Sequence, residues 1–131
     1  MTWKAALRPD QEVPNLDSTT GGGEEREASL SLASRELRDG GVEIVVVGDI
    51  DIATGPELER YIISNDRGGD VTLDLSQVAF IDSWGLRVLV AAHTRAERNG
   101  QRLILCDIQP IVRRVLEISG LAGFLNIIES N

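Results

Sequence analysis

The chain has one cysteine, one histidine and one lysine among its 131 residues, and each scarcity closes a class of chemistry. A single Cys106 excludes a disulfide framework and a cysteine-rich metal site, and it makes a reducing cytoplasm the expected compartment. With His93 as the sole histidine, neither a multi-histidine metal centre nor a histidine pair for proton transfer can be built. Lys4 lies near the start, outside any glycine-rich phosphate loop, and the glycine pairs at 40–41 and 68–69 fit neither the G-x-x-x-x-G-K-S/T nor the G-x-G-x-x-G pattern. Only 4% of residues are aromatic, and no apolar run approaches the ~18 residues of a membrane-spanning helix. Positive charge is also short. The formal net charge of -8 opposes nonspecific binding to nucleic acid or to an anionic membrane surface, so neither is expected as a partner.

What is present describes one domain. Residues 1–27 carry Pro9, Pro14, Gly21-Gly22-Gly23 and six acidic side chains without apolar periodicity, a composition that predicts a flexible tail. The ordered domain is expected over 28–131. Leu30 and Leu32 alternate with polar residues as a first strand, Asp39-Gly40-Gly41 turns the chain, and VEIVVVG at 42–48 is a β-branched second strand. Thr54 is a candidate N-cap before Pro56 and Glu57, opening a first helix with Leu58, Tyr61 and Ile62 at helical spacing. A third strand is expected over 70–75 and a second helix from the Ser83 junction to Asn99-Gly100. RLILCDI at 102–108 reads as a fourth strand in which Cys106 is buried and inert, between parallel neighbours and covered on both faces. Pro110 opens a third helix. A short turn or fourth helix then precedes a last strand in FLNII. This order predicts an α/β fold, a mixed and mostly parallel sheet of four to five strands with about four helices packed on it.

The second helix carries two apolar faces. Leu86, Leu89, Val90 and His93 share one, read as the buried face; Trp84, Val88, Ala91 and Ala92 share the other. One face suffices for packing on a sheet, so Trp84 and Val88, with Arg87 between them, are expected to meet a protein partner.

Ser83 stands at the junction of the third strand and this helix, in Phe80-Ile81-Asp82-Ser83-Trp84-Gly85-Leu86. A catalytic serine is not expected there: no G-x-S-x-G elbow exists, and His93 lies ~15 Å down the same helix at 1.5 Å per residue. Two readings of the residues stay open. Asp82 or Ser83 caps the helix, or Ser83 accepts a phosphate that backbone N–H groups favour and that Asp82, Asp49 and Asp51 oppose.

Three ordered blocks add a resemblance. GDIDIAT at 48–54, LDLSQVAFIDSWGL at 73–86 and IQPIVRRVLEISGL at 108–121 resemble the STAS-domain proteins of the bacterial anti-sigma-factor-antagonist family. That resemblance implies a non-enzymatic binding module, without cofactor, that in unphosphorylated form binds an anti-sigma factor and so releases a sigma factor. It implies that the anti-sigma factor is a GHKL-type serine kinase, which phosphorylates Ser83 and ends the binding, and that a PP2C-type phosphatase restores it. Asp82 and Asp51 match the family's acidic positions, Asp49 stands where glutamate is usual, and Thr54 matches the residue that begins the first helix. Trp84 departs from the family's serine or threonine. That departure points to a divergent partner, or to a module that binds without being phosphorylated; the alternative roles are a scaffold or a subunit of a lipid-transport complex.

Overall fold

The computed structural model describes residues 30–129. The expected tail at 1–27 therefore lies outside the described residues. The elements are β1 (Leu30–Glu36), β2 (Val42–Ile50), α1 (Gly55–Ser64), β3 (Val71–Ile81), α2 (Ser83–Arg98), β4 (Leu103–Cys106), α3 (Pro110–Ile118) and β5 (Asn126–Ile128). They form one five-stranded sheet in the order β1-β2-β3-β4-β5. β1 runs antiparallel to β2, and every later pair is parallel. The mixed α/β sheet is the expected one. Where a fourth helix was an alternative, the chain makes a short turn, so the described residues hold three helices.

Local chemistry explains the turns. Gly40 takes φ +93°, open to glycine, while Asp39 Oδ1 accepts from Gly41 N at 2.9 Å and closes the β1–β2 hairpin. The strands then follow one another in sequence, and crossovers of a single hand put every connecting helix on the same face of the sheet. Burial agrees. Leu32, Val42, Ile44, Val46, Val71, Leu73, Leu103 and Leu105 form one buried cluster with Leu58, Leu89, Val112 and Leu116 of the helices. The alternate strand positions Glu43, Val45, Asp74 and Ile104 are half-buried. β4 thus lies between parallel neighbours as expected, but its second face is covered only in part.

β3 runs six residues beyond the expected end at 75. Its buried positions are Val71, Leu73 and Leu75, then Val78 and Ile81, so a period of two gives way to a period of three. The register shows why: Val45 pairs with Asp74, Val47 with Gln77 and Asp49 with Phe80. Twice, β2 advances two residues while β3 advances three, as at successive β-bulges. The ladder continues although the apolar alternation stops.

α2 also departs from expectation. Its buried residues are Gly85, Val88, Leu89, Ala92, His93 and Ala96, while Leu86 and Val90 are half-buried. The buried face is rotated by roughly 80° from the Leu86–Val90 side, at 100° per residue. The cause is packing on two surfaces at once. The small residues Gly85, Ala92 and Ala96 let α2 settle between the sheet and α1, and Val88 lies against Gly55 at the start of α1. Val88, only 7% exposed, is therefore core and not partner surface.

Candidate functional site

β2 and β3 are parallel and end together, with Asp49 beside Phe80 and Ile50 beside Ile81. The two strand-to-helix loops therefore lie side by side at the carboxyl edge of the sheet, where side chains of separate loops converge. Each loop is held by an aspartate. Asp51 Oδ1 accepts from Ala53 N at 2.9 Å and Thr54 N at 3.0 Å. Thr54, fully inside, donates its hydroxyl to the Asp49 carbonyl at 2.7 Å and accepts from Asp51 N at 2.9 Å. Thr54 occupies the N-cap position of α1, but its side chain caps nothing, because its oxygen is committed to Asp49 and Asp51.

In the second loop, Asp82 Oδ1 accepts from Trp84 N at 2.9 Å and Gly85 N at 3.0 Å. Asp82 is the cap of α2, which decides between the two capping candidates. Ser83, the first helical residue, is exposed and takes no part in capping. Two of the first-turn N–H groups expected to favour a phosphate are thus already engaged by a carboxylate. Asp82 N donates in turn to the Ile50 carbonyl at 3.2 Å, stitching the two loops together. Asp82→Ala is expected to cost about 1 kcal/mol in urea denaturation, whereas Ser83→Ala stays within about 0.5 kcal/mol of wild type.

Around Ser83 large apolar side chains are exposed among the carboxylates. Trp84 is 45% exposed, and Ile52 and Phe80 of the same sheet edge are exposed as well. The Arg87 guanidinium carbon lies 4.8 Å from the Trp84 ring centroid in a cation–π contact. Asp49, Asp51, Thr54, Asp82, Ser83, Trp84 and Arg87 are all brought to this edge, by the end of β2, the β2–α1 loop or the start of α2; the Thr54 side chain is buried within it, and Val88 turns into the core. Ile52 and Phe80 were not among the expected residues. Phe80 lies beside Asp49 in the part of β3 beyond the expected end at 75, where no strand was expected.

A model of the STAS domain matches residues 34–131. The chain belongs to the STAS-domain family. It is 29% identical over 89 residues to an anti-sigma-B factor antagonist of Staphylococcus epidermidis, over 66% of this chain and 82% of that one. It is similar to the crystal structure of an anti-sigma factor antagonist from Mycobacterium paratuberculosis, with 26% identity, a TM-score of 0.64, and coverage of 76% of this chain and 85% of the other. The fold also matches phosphorylated SpoIIAA, a Bacillus cell fate determinant, at 18% identity and TM-score 0.59, over 77% of this chain and 92% of that one.

Other reactive groups of this STAS domain lie away from Ser83. His93 is buried ten residues down α2, its ring 4.6 Å from that of Phe124 and its Nε2 3.5 Å from Glu97. Asp74, Cys106 and Asp107 bring one donor atom each within 4.8 Å of one another. Burial, together with the charges of Asp107, Asp74 and Glu43, pushes the Cys106 thiol from 9.0 up to about 11. A neutral thiol hydrogen-bonded to Asp107 explains this group without a metal. A cavity lined by Ile62, Val71, Ala92, Gln101 and Leu103 holds about 30 Å³, room for one water and not for a metabolite.

The thiol gives a test. At pH 8 the folded protein should hold about 100-fold less thiolate than the unfolded chain, so labelling by a thiol reagent should be at least that much slower without urea than with it. The sign for stability follows: the raised value favours folding fully below pH 9, and this contribution is lost as pH rises from 9.0 towards about 11.

Proposed function

We propose that this STAS domain is an anti-sigma-factor antagonist: unmodified, it binds an anti-sigma factor through the Ser83 edge, and phosphorylation of Ser83 ends the binding. The domain is a regulatory protein and not an enzyme. The observation that carries the reading is the placement of Ser83. It is an exposed hydroxyl, free of capping duty, beside exposed Trp84, on a loop pair fixed by Asp51, Thr54 and Asp82. Such a serine is accessible to a modifying enzyme while its surroundings stay rigid enough to be a binding surface. The names of the relatives, antagonists of anti-sigma factors, support the partner class. The partner would be a GHKL-type serine kinase that moves the γ-phosphoryl group of ATP to Ser83 Oγ, leaving ADP and a proton, and a PP2C-type phosphatase would hydrolyse the ester.

A second reading is favoured by one residue. Trp84 places a broad ring beside the acceptor, 45% exposed, where a kinase must approach. In that reading the domain is a constitutive binding module, for example in a lipid-transport complex. One experiment separates the two. Each anti-sigma kinase of the same organism is mixed with wild-type protein or S83A in the presence of ATP and magnesium, and intact mass is read. A gain of one phosphate in wild type, absent in S83A, supports the switch; an unmodified protein that still binds leaves the constitutive module. In a binding titration with the same partner, Trp84→Ala should weaken binding by about 1–3 kcal/mol with the fold intact.

A further inference from the structure

Resting on the reading of Ser83 as a phosphate acceptor, we infer that Arg87 is the ligand of that phosphate, and that it leaves the Trp84 ring to take it. Three observations converge. First, two of the backbone donors that usually receive a phosphate at a helix start are occupied: Asp82 holds Trp84 N and Gly85 N at 2.9 and 3.0 Å. A phosphate on Ser83 could use them only by displacing the cap, and it would do so against the carboxylate charge of Asp82.

Second, the carboxyl edge is acidic, and among the described residues brought to it Arg87 is the one cation. The stretches that build this edge, 48–58 and 78–86, contain Asp49, Asp51, Glu57 and Asp82, but no lysine or arginine. A dianion placed there needs a positive partner, and Arg87 supplies it one turn along the same helix face. Side chains four apart on a helix are neighbours, with about 5–6 Å between their Cβ atoms.

Third, Arg87 already reaches back to the first turn. Its guanidinium lies over Trp84, 4.8 Å from the ring centroid. Helical side chains lean toward the N-terminus, so this posture brings the fork within a rotamer change of a group on Ser83. The cation–π contact at an exposed site is weak. A charge-assisted pair with a phosphate dianion is the stronger interaction, so the arginine moves. Phosphorylation then alters the docking edge twice: it adds negative charge at Ser83 and removes the positive cover from Trp84. Arginine is required for this, because its planar fork both stacks on an indole and grips a phosphate.

The test installs phosphoserine at 83 during translation of the full chain, so it needs no kinase. Trp3→Phe leaves Trp84 as the only emitting indole. Phosphorus NMR follows the second ionisation of the phosphate, and fluorescence follows Trp84. In the wild-type background the phosphate should bind its proton roughly 3- to 10-fold more weakly than in R87Q, with R87K in between. Phosphorylation should also shift Trp84 emission to that of unphosphorylated R87Q. Equal phosphate titration in wild type and R87Q, both folded by circular dichroism, overturns the inference. Failure of every kinase to modify Ser83 is a different result: it removes the proposed function and leaves this titration unchanged.

Discussion

Gly85→Ala is expected to destabilise the domain by about 3 kcal/mol and to abolish partner binding with it. On helix propensity alone the change should stabilise α2 by up to ~1 kcal/mol. Packing reverses the sign. A Cβ on Gly85 would lie 2.4 Å from the Ile50 carbonyl oxygen, 2.6 Å from Ile81 Cγ1 and 2.9 Å from Ile50 Cγ2. The carbonyl cannot yield cheaply, since it ends the buried strand β2 and accepts from Asp82 N. Overpacking of a filled site costs ~1–3 kcal/mol, and more where backbone must move. Here the first turn of α2 would be pushed off the sheet, taking Asp82, Ser83 and Trp84 out of register with the 49–54 loop. Urea denaturation measures the loss, with Gly123→Ala as the control, because a Cβ there meets nothing within 4 Å. A G85A protein as stable as wild type would mean that α2 does not start this close to β2.

The second large effect is on affinity. Stoichiometric phosphorylation of Ser83 should weaken binding to the anti-sigma factor by about 100- to 1000-fold, close to 3–4 kcal/mol at 1.4 kcal/mol per decade. Two negative charges enter an edge that already holds Asp49, Asp51 and Asp82, and a docked partner must bury them or separate. A like-charge clash with desolvation costs several kcal/mol. Ser83→Asp carries half the charge and none of the phosphate geometry, so it should lose less, about 10-fold. Calorimetry at two salt concentrations checks the cause, because an electrostatic penalty at a rim narrows as salt rises. Equal affinities for both forms would leave phosphorylation without consequence for this partner.

How much of this was legible in the residues varies by element. β2 was plain, because six of its nine residues are apolar and mostly β-branched. The Asp82-Ser83 junction was plain as well, since a polar pair directly precedes an apolar pattern at helical spacing. β3 was cut short because reading by alternation ends at Leu75, whereas backbone pairing with β2 carries on to Ile81. The face of α2 was misassigned for a related reason. A helix pressed into a corner between a sheet and another helix buries its small residues, and a scale that looks for large apolar side chains favours Leu86 and Val90 over Gly85, Ala92 and Ala96. Val88 was lost from the site by the same rotation. The capping residue could not be chosen from residue types, because Asp and Ser serve equally well, and only the hydrogen bonds to Trp84 N and Gly85 N separate them.

The two-against-three register of β2 and β3 has a consequence for how such a chain can vary. Ser76, Gln77 and Ala79 sit on the exposed outer turns of the bulged stretch, and nothing in their packing demands those identities. Their number is another matter. Remove one residue between Leu75 and Ile81, and either Val78 or Ile81 leaves the core, or the loop that begins at Asp82 is drawn back by one strand step of ~3.3 Å. The same holds for an insertion. This part of the gene can accept many substitutions and almost no change of length, so alignments across it should be free of gaps while being rich in differences.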